Sequence, residues 1–226
     1  KCKRVLVSIF VNPSQFNDKK DYQNYPRELE NDILKLKKYC VDYLFLPTES
    51  EIYQKKISKK INISNNDKIL CAKYRKGHFE GVLAVVNRLL QNINSKYVFF
   101  GEKDFQQIFL IKKYLNNFKN KIIICNTVRN KSFLPLSSRN KLLSKISLLK
   151  AEKISQLILN FKKKILTNFS NINLLNQYKK KIRKHCDSIE YFEIRNKNNL
   201  SINIKKNNFK IFIAYKINKI RLIDNV

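Results

Sequence analysis

Residues 97–113, YVFFGEKDFQQIFLIKK, hold the reading that decides the fold. An apolar run ends at Gly101, a cluster of charges follows, and a helix pattern starts at Phe105. Strand, glycine, charge pair and helix start is an arrangement that often holds a phosphate or a carboxylate. The chain of 226 residues has only three glycines, so it keeps one mainly where the backbone cannot accept a side chain.

Working outward, three more short apolar runs, Val5–Val11, Tyr43–Leu46 and Ile122–Cys125, join Tyr97–Phe100 and read as buried strands. Helical patterns lie between them. Pro26 suits the first position of a helix carrying Leu29, Ile33 and Leu36 inward; Val82–Leu90 and Phe105–Leu115 give two more. Alternation of this kind predicts a parallel sheet covered by helices. Beyond Thr127 the pattern changes. Leu142–Ile165 and Leu174–Ile182 read as lysine-rich amphipathic helices, and SIEYFEI, FKIFIAY and IRLID as a small antiparallel sheet. The expected division is 1–127, an α/β domain with a parallel sheet, and 128–226, a smaller α+β domain.

The 47 basic residues against 17 acidic ones give a formal charge of +30, which invites a nucleic-acid reading. Only nine of the basic residues are arginine, the residue suited to bidentate phosphate and base contacts. Lysine, asparagine and isoleucine dominate while glycine and alanine are scarce, a bias that compositional drift explains. The lysine clusters 162–164 and 179–181 fall on the helical patterns, as solvated faces do. No specific nucleic-acid partner is expected.

Five widely spaced cysteines with no CxxC pair indicate neither a zinc site nor a disulfide framework and fit a reducing, cytoplasmic setting. No run approaches the roughly 18 apolar residues of a membrane span. The sequence contains no methionine and opens on Lys1 beside an apolar run, from which we expect a preceding segment.

Three glycines cannot be spaced as GxGxxG or GxxxxGK[ST], so a nucleotide would need another device. Four segments offer one: SIFVNPSQF (8–16), with Gln15 in the loop after the first strand; RKGHFEGV (75–82); FGEKDFQQ (100–107); and TVRNKSFLPLSSRN (127–140). Each has a plainer reading. Asp104 and Gln107 suit a capping box, His78 a satisfied loop histidine, Ser137 and Ser138 a helix cap, and Gln15 a turn. Together they favour a shared cleft at the carboxyl ends of the strands.

In this order and spacing, SIFVNPSQF, YPRELENDI, RKGHFEGVLAVVNRLL, FGEKDFQQ, TVR…LSSRN and RLIDN resemble the pantoate–β-alanine ligase (pantothenate synthetase) family over essentially the whole chain. The resemblance implies a Rossmann-like fold of the class I aminoacyl-tRNA-synthetase and nucleotidyltransferase type, with a smaller α+β C-terminal domain acting as a lid. It also implies a homodimer, the substrates pantoate, β-alanine and ATP, and Mg2+ with the nucleotide. Pantoate is activated as pantoyl adenylate and then captured by β-alanine.

By motif, Gln15 and Gln107 would hold pantoate through their amides, Gln15 would also meet β-alanine, and Val85 and Val86 would line an apolar wall. ATP would lie along Gly101, Glu102, Lys103 and Asp104, meet the Val128 backbone, and be closed over by Leu136, Ser137, Ser138 and Arg139. No protein metal site is implied. The family's HxGH signature, which steadies the α-phosphate, is absent, so no catalytic residue is assigned. Ser132-Phe133 replaces a frequent Asp-Gly, which implies a stiffer loop there. The rival readings are an inactive remnant of this enzyme and a basic nucleic-acid-binding protein.

Overall fold

The computed structural model describes residues 2–16, 19–53, 61–167 and 173–226, and these divide into two compact units. One comprises Lys1–Lys96 and Leu110–Asn120, the other Tyr97–Phe109 and Lys121–Val226.

In the first unit, β1 (Leu6–Ser8) pairs in parallel with β2 (Tyr43–Phe45), Leu6 lying opposite Tyr43. A parallel pair needs a crossover, here supplied by α1 (Lys19–Gln23) and α2 (Leu29–Lys38). Helices α3 (Glu49–Tyr53), α4 (Cys71–Tyr74) and α5 (His78–Asn92) follow. Gly77, left-handed at φ 77°, turns the chain into α5. That helix buries Phe79, Val82, Leu83, Val85 and Val86 on one face, the periodicity the sequence shows. Asp67 anchors the turn before α4. Its buried carboxylate accepts from Lys113 Nζ at 2.8 and 2.9 Å, from Ser64 Oγ at 2.9 Å and from the Tyr114 hydroxyl. Burial alone pushes this carboxyl up, but the hydrogen bonds from Lys113, Tyr114 and Ser64 outweigh it and hold the group below its ordinary range.

In the second unit, β3 (Tyr97–Gly101) pairs in parallel with β4 (Lys121–Cys125). Between them lies α6 (Phe105–Tyr114), whose residues are shared between the units. Then come α7 (Lys145–Thr167), α8 (Asn173–Arg183) and an antiparallel sheet of β5 (Ser188–Asn196), β6 (Phe209–Ile217) and β7 (Ile220–Asn225), with β6 central. Ile154, Ile158, Phe161 and Ile165 of α7, with Leu174, Tyr178 and Ile182 of α8, form one core with Phe192, Ile211, Ile213 and Tyr215. Asn218 and Lys219 both adopt positive φ, the two-residue turn whose twist suits the β6–β7 hairpin.

The class is as expected: α/β with Rossmann-like parallel strands and helices, followed by a smaller α+β region. Three details are corrected. No residue of β1 to β4 is buried, although these runs read as buried strands. Each belongs to a two-stranded pair, so its apolar side chains lack the cover a wider parallel sheet supplies. Helix α2 starts at Leu29, not Pro26, because its first i to i−4 bond runs from Asp32 N–H to the Glu28 carbonyl; Leu29 is exposed, and Ile33 and Leu36 are half-buried. Helix α7 starts at Lys145, not Leu142, because the Ser144 hydroxyl caps it by accepting from Ser147 N–H at 3.2 Å. Among the described residues no helix is long and apolar enough to cross a membrane.

Candidate active site

The loop after β1 is built around a buried amide. Asn12, 1% exposed, caps the 3-10 turn Pro13–Gln15. Its Oδ1 accepts from Ser14 N–H (3.1 Å), Ser14 Oγ (2.9 Å) and the Tyr53 hydroxyl (2.9 Å), while Nδ2 donates to the Gly81 carbonyl (3.3 Å). Helix α5 approaches so closely here that a Cβ on Gly81 would stand 2.8 Å from Ser14 Oγ and 2.9 Å from the Ser14 carbonyl oxygen.

The Gln15 carbonyl is held from the same side. Arg75 Nη2 donates to it at 2.8 Å, and His78 Nδ1 lies 2.8 Å away. A carbonyl only accepts, so Nδ1 carries the proton; Nε2, 2.8 Å from the donor-only Arg75 Nη1, accepts. His78 is thus a neutral, satisfied histidine that braces the Gln15 loop. Val85 and Val86 are buried further along α5.

In the second unit, Gly101 ends β3 at φ −73° and ψ 128°, a conformation any residue adopts, and among the described residues a Cβ there would meet no atom within 4 Å beyond its chain neighbours. Protein packing therefore does not explain this glycine. The 3-10 turn Glu102–Asp104, with Gly101 at its N-cap, leads straight into α6, so Asp104 stands immediately before that helix. Gln107 is half-buried in the first turn of α6, beside the buried Gln106.

Val128 and Leu136 are exposed, 67% and 56%, and joined by a bond from Leu136 N–H to the Val128 carbonyl at 2.9 Å. Between them Asn130 closes a tight loop, its Oδ1 accepting from Ser132 N–H and Leu134 N–H. Phe133 sits there at φ 67°, a left-handed conformation costly for a bulky side chain. Ser137 Oγ accepts from Arg139 N–H at 3.3 Å, the capping role its type allows.

Both segments meet the end of β7. Asn225 Nδ2 donates to the carbonyls of Glu102 (3.0 Å) and Lys103 (2.7 Å). Arg129 forms a bidentate pair with the buried Asp224, at 2.7 and 2.8 Å. Burial pushes the Asp224 carboxyl up, against the pull of that guanidinium. Lys210 pairs with Glu102 at 3.0 Å. Lys162 nearby has a lowered pKa, first from burial and then from Lys210.

The ATP residues expected from sequence, with Gln107, therefore fall in one unit, and Gln15, Val85 and Val86 in the other. Sequence reasoning assigned no role to Asn12, Arg75, Lys210, Asp224 or Asn225. A signal existed for the last two: a charged and an amide side chain follow the apolar pair Leu222-Ile223 at the end of the strand, in the RLIDN stretch.

The family model for pantoate-beta-alanine ligase matches residues 1–226. A pantothenate synthetase of Francisella tularensis subsp. mediasiatica is 42% identical over 98% of this chain and 78% of its own length. Among solved structures, a Francisella tularensis pantoate-beta-alanine ligase complexed with beta-gamma ATP and beta-alanine is 39% identical, with a TM-score of 0.81, over 99% of this chain and 79% of that one. Pantothenate synthetase from Thermus thermophilus is 29% identical with a TM-score of 0.89, over 99% and 83%. The chain belongs to the pantoate–β-alanine ligase family.

Proposed function

We propose that the protein condenses pantoate with β-alanine to pantothenate, using ATP and passing through pantoyl adenylate. A pantoate carboxylate oxygen attacks the α-phosphorus, and the bond to the β-phosphate oxygen breaks, releasing pyrophosphate. The β-alanine amine then attacks the activated carbonyl carbon and loses a proton as the bond to AMP breaks. Orientation and stabilisation of phosphate charge are what such chemistry asks of a protein. The observation that carries this reading is the pinning of the Glu102–Asp104 turn and the Val128–Leu136 segment to one strand end, in a chain whose family neighbour was solved with ATP and β-alanine.

In this reading Lys103 faces phosphate as a point charge, and Gly101 lets the nucleotide approach backbone. Val128 meets adenine through its main chain, and Leu136 to Arg139 close over the phosphates. Gln15 and Gln107 hold pantoate, Gln15 also meets β-alanine, and Val85 and Val86 face pantoate's methyl groups. Mg2+ travels with the ATP phosphates, since it keeps several waters and needs few protein ligands. Glu102 and Asp104, beside Lys210 and Lys103 respectively, are the nearest carboxylates on the candidate nucleotide turn. We place the division into ATP/pantoate and lid domains at 127–128, the assembly as a homodimer, and the setting as cytoplasmic, the last supported by five free cysteines.

The test is pantoate-dependent ATP–pyrophosphate exchange with Gln107→Ala. Neither histidine of this sequence lies in an HxGH signature, so the assay compares the chain alone with the chain joined to a segment bearing that signature. The substitution should weaken pantoate roughly 10- to 150-fold, because a charged partner loses a hydrogen bond worth ~1.5–3 kcal/mol. Wild-type pantoate dependence would remove Gln107 from the site.

A further inference from the structure

We infer that Asn225 is a positioning residue of the nucleotide site, setting the peptide planes of Glu102 and Lys103 while Asp224 and Arg129 tie the same strand end to the Val128–Leu136 segment. This rests on the assignment of Gly101–Asp104 to ATP. A side-chain amide has two N–H donors, and Asn225 donates to two consecutive main-chain carbonyls, at 3.0 and 2.7 Å. Its oxygen accepts from Lys210 Nζ at 3.0 Å, and that ammonium also meets Glu102 Oε1 at 3.0 Å. The residue is buried, so water does not readily stand in for these bonds.

In a trans peptide the carbonyl and the following N–H point in opposite directions across one rigid plane. Holding the carbonyls of Glu102 and Lys103 therefore also sets the direction of the Lys103 and Asp104 N–H groups, and of the Lys103 side chain that leaves this backbone.

The other half of the clamp is Arg129. Beyond the Asp224 carboxylate, its Nη1 donates to the Phe133 carbonyl (2.9 Å) and its Nη2 to the Asn225 carbonyl (3.0 Å). Asp224 Oδ1 in turn accepts from Asn225 N–H at 2.7 Å. Both candidate ATP segments are thus referred to two adjacent residues of β7. An aspartate at 225 would have nearly the same shape but would set a carboxylate oxygen against two carbonyl oxygens. That makes Asn225→Asp a test of hydrogen-bond direction more than of volume.

The experiment measures the Kd for ATP by calorimetry and the KM for β-alanine in Asn225→Asp, Asn225→Ala, Lys103→Ala and the double variant Asn225→Asp with Lys103→Ala. Ile158→Val, in the core of the same unit, serves as a control for lost stability. Both Asn225 variants should weaken ATP roughly ten-fold, aspartate more than alanine, as expected for two lost hydrogen bonds. The KM for β-alanine should stay within about two-fold, and the Asn225 change should add less than about two-fold on the Lys103→Ala background. Ile158→Val should lower the melting temperature without moving the ATP Kd.

Wild-type ATP binding in both Asn225 variants, with Lys103→Ala impaired, overturns this inference alone. An ATP loss that merely matches Ile158→Val at equal loss of melting temperature overturns it too. Wild-type ATP binding in Lys103→Ala overturns the nucleotide assignment and this inference with it.

Discussion

The loop Pro13–Gln15 and the turn Glu102–Asp104 do the same job by different means. Each carries candidate ligand residues just after a parallel strand, and each has its main-chain carbonyls gripped by side chains distant in sequence. The first is also wedged: α5 lies so close that Gly81 has no room for a Cβ. The second is held by hydrogen bonds, and its own glycine, Gly101, faces open space within the protein. A wedged loop should respond to volume, and a tethered one to the number and direction of its donors.

The largest expected break is at the wedge. Gly81→Ala forces the Ser14 main chain to move, at a cost of about 1–3 kcal/mol for overpacking. Thermal melting should show that loss, and pantoate binding should weaken while ATP binding stays near wild type. A variant that melts like wild type would show that the loop yields freely.

Gly101→Ala is the converse. Alanine fits φ −73°, so the fold should gain about 0.4–1 kcal/mol from a stiffer unfolded chain. ATP affinity should nonetheless fall roughly ten-fold, the loss of about 1.4 kcal/mol of contact. A more stable protein with unchanged ATP affinity would mean that no ligand approaches this residue.

The smallest effect sharpens the comparison with a third device, the ionic anchor at Asp67. Its carboxyl is held below 3.8 in the folded protein, so its contribution is complete above that value. It is lost as pH falls through the folded pKa. Asp67→Asn should therefore flatten the acid limb of a stability–pH curve below about pH 4 while lowering the neutral plateau. An unchanged acid limb would show that the Lys113 and Tyr114 contacts carry no linkage to protonation.

Where the sequence could be read, the reason was local. The 3.6 period of Leu174, Tyr178 and Ile182 reports that helix's own buried face, and the nearly unbroken apolar run of FKIFIAY reports a strand covered on both faces; both elements stand where the sequence puts them. Burial of β1 to β4 was not legible, because an apolar run reports only that a strand wants cover, while cover depends on other elements. Gly101 drew attention because glycine is rare, yet steric need sits at Gly81, where α5 meets Ser14 far upstream. Asn225 escaped for the same reason: its partners are 122 and 123 residues away. Candidate ligand residues were legible from motif; the side chains that hold them were not.

The clamp at β7 also orders events during synthesis. Chains fold from the N-terminal side as they emerge, and contacts of long sequence separation close late. The Glu102–Asp104 turn is made well over a hundred residues before its amide tether, and Arg129 waits 95 residues for its carboxylate. Until the β6–β7 hairpin has formed around Asn218 and Lys219, a nascent chain has the turn but nothing to set its peptide planes. Full nucleotide affinity would then arrive late, so that a ribosome-bound intermediate holding the whole parallel region would bind ATP more weakly than the finished chain.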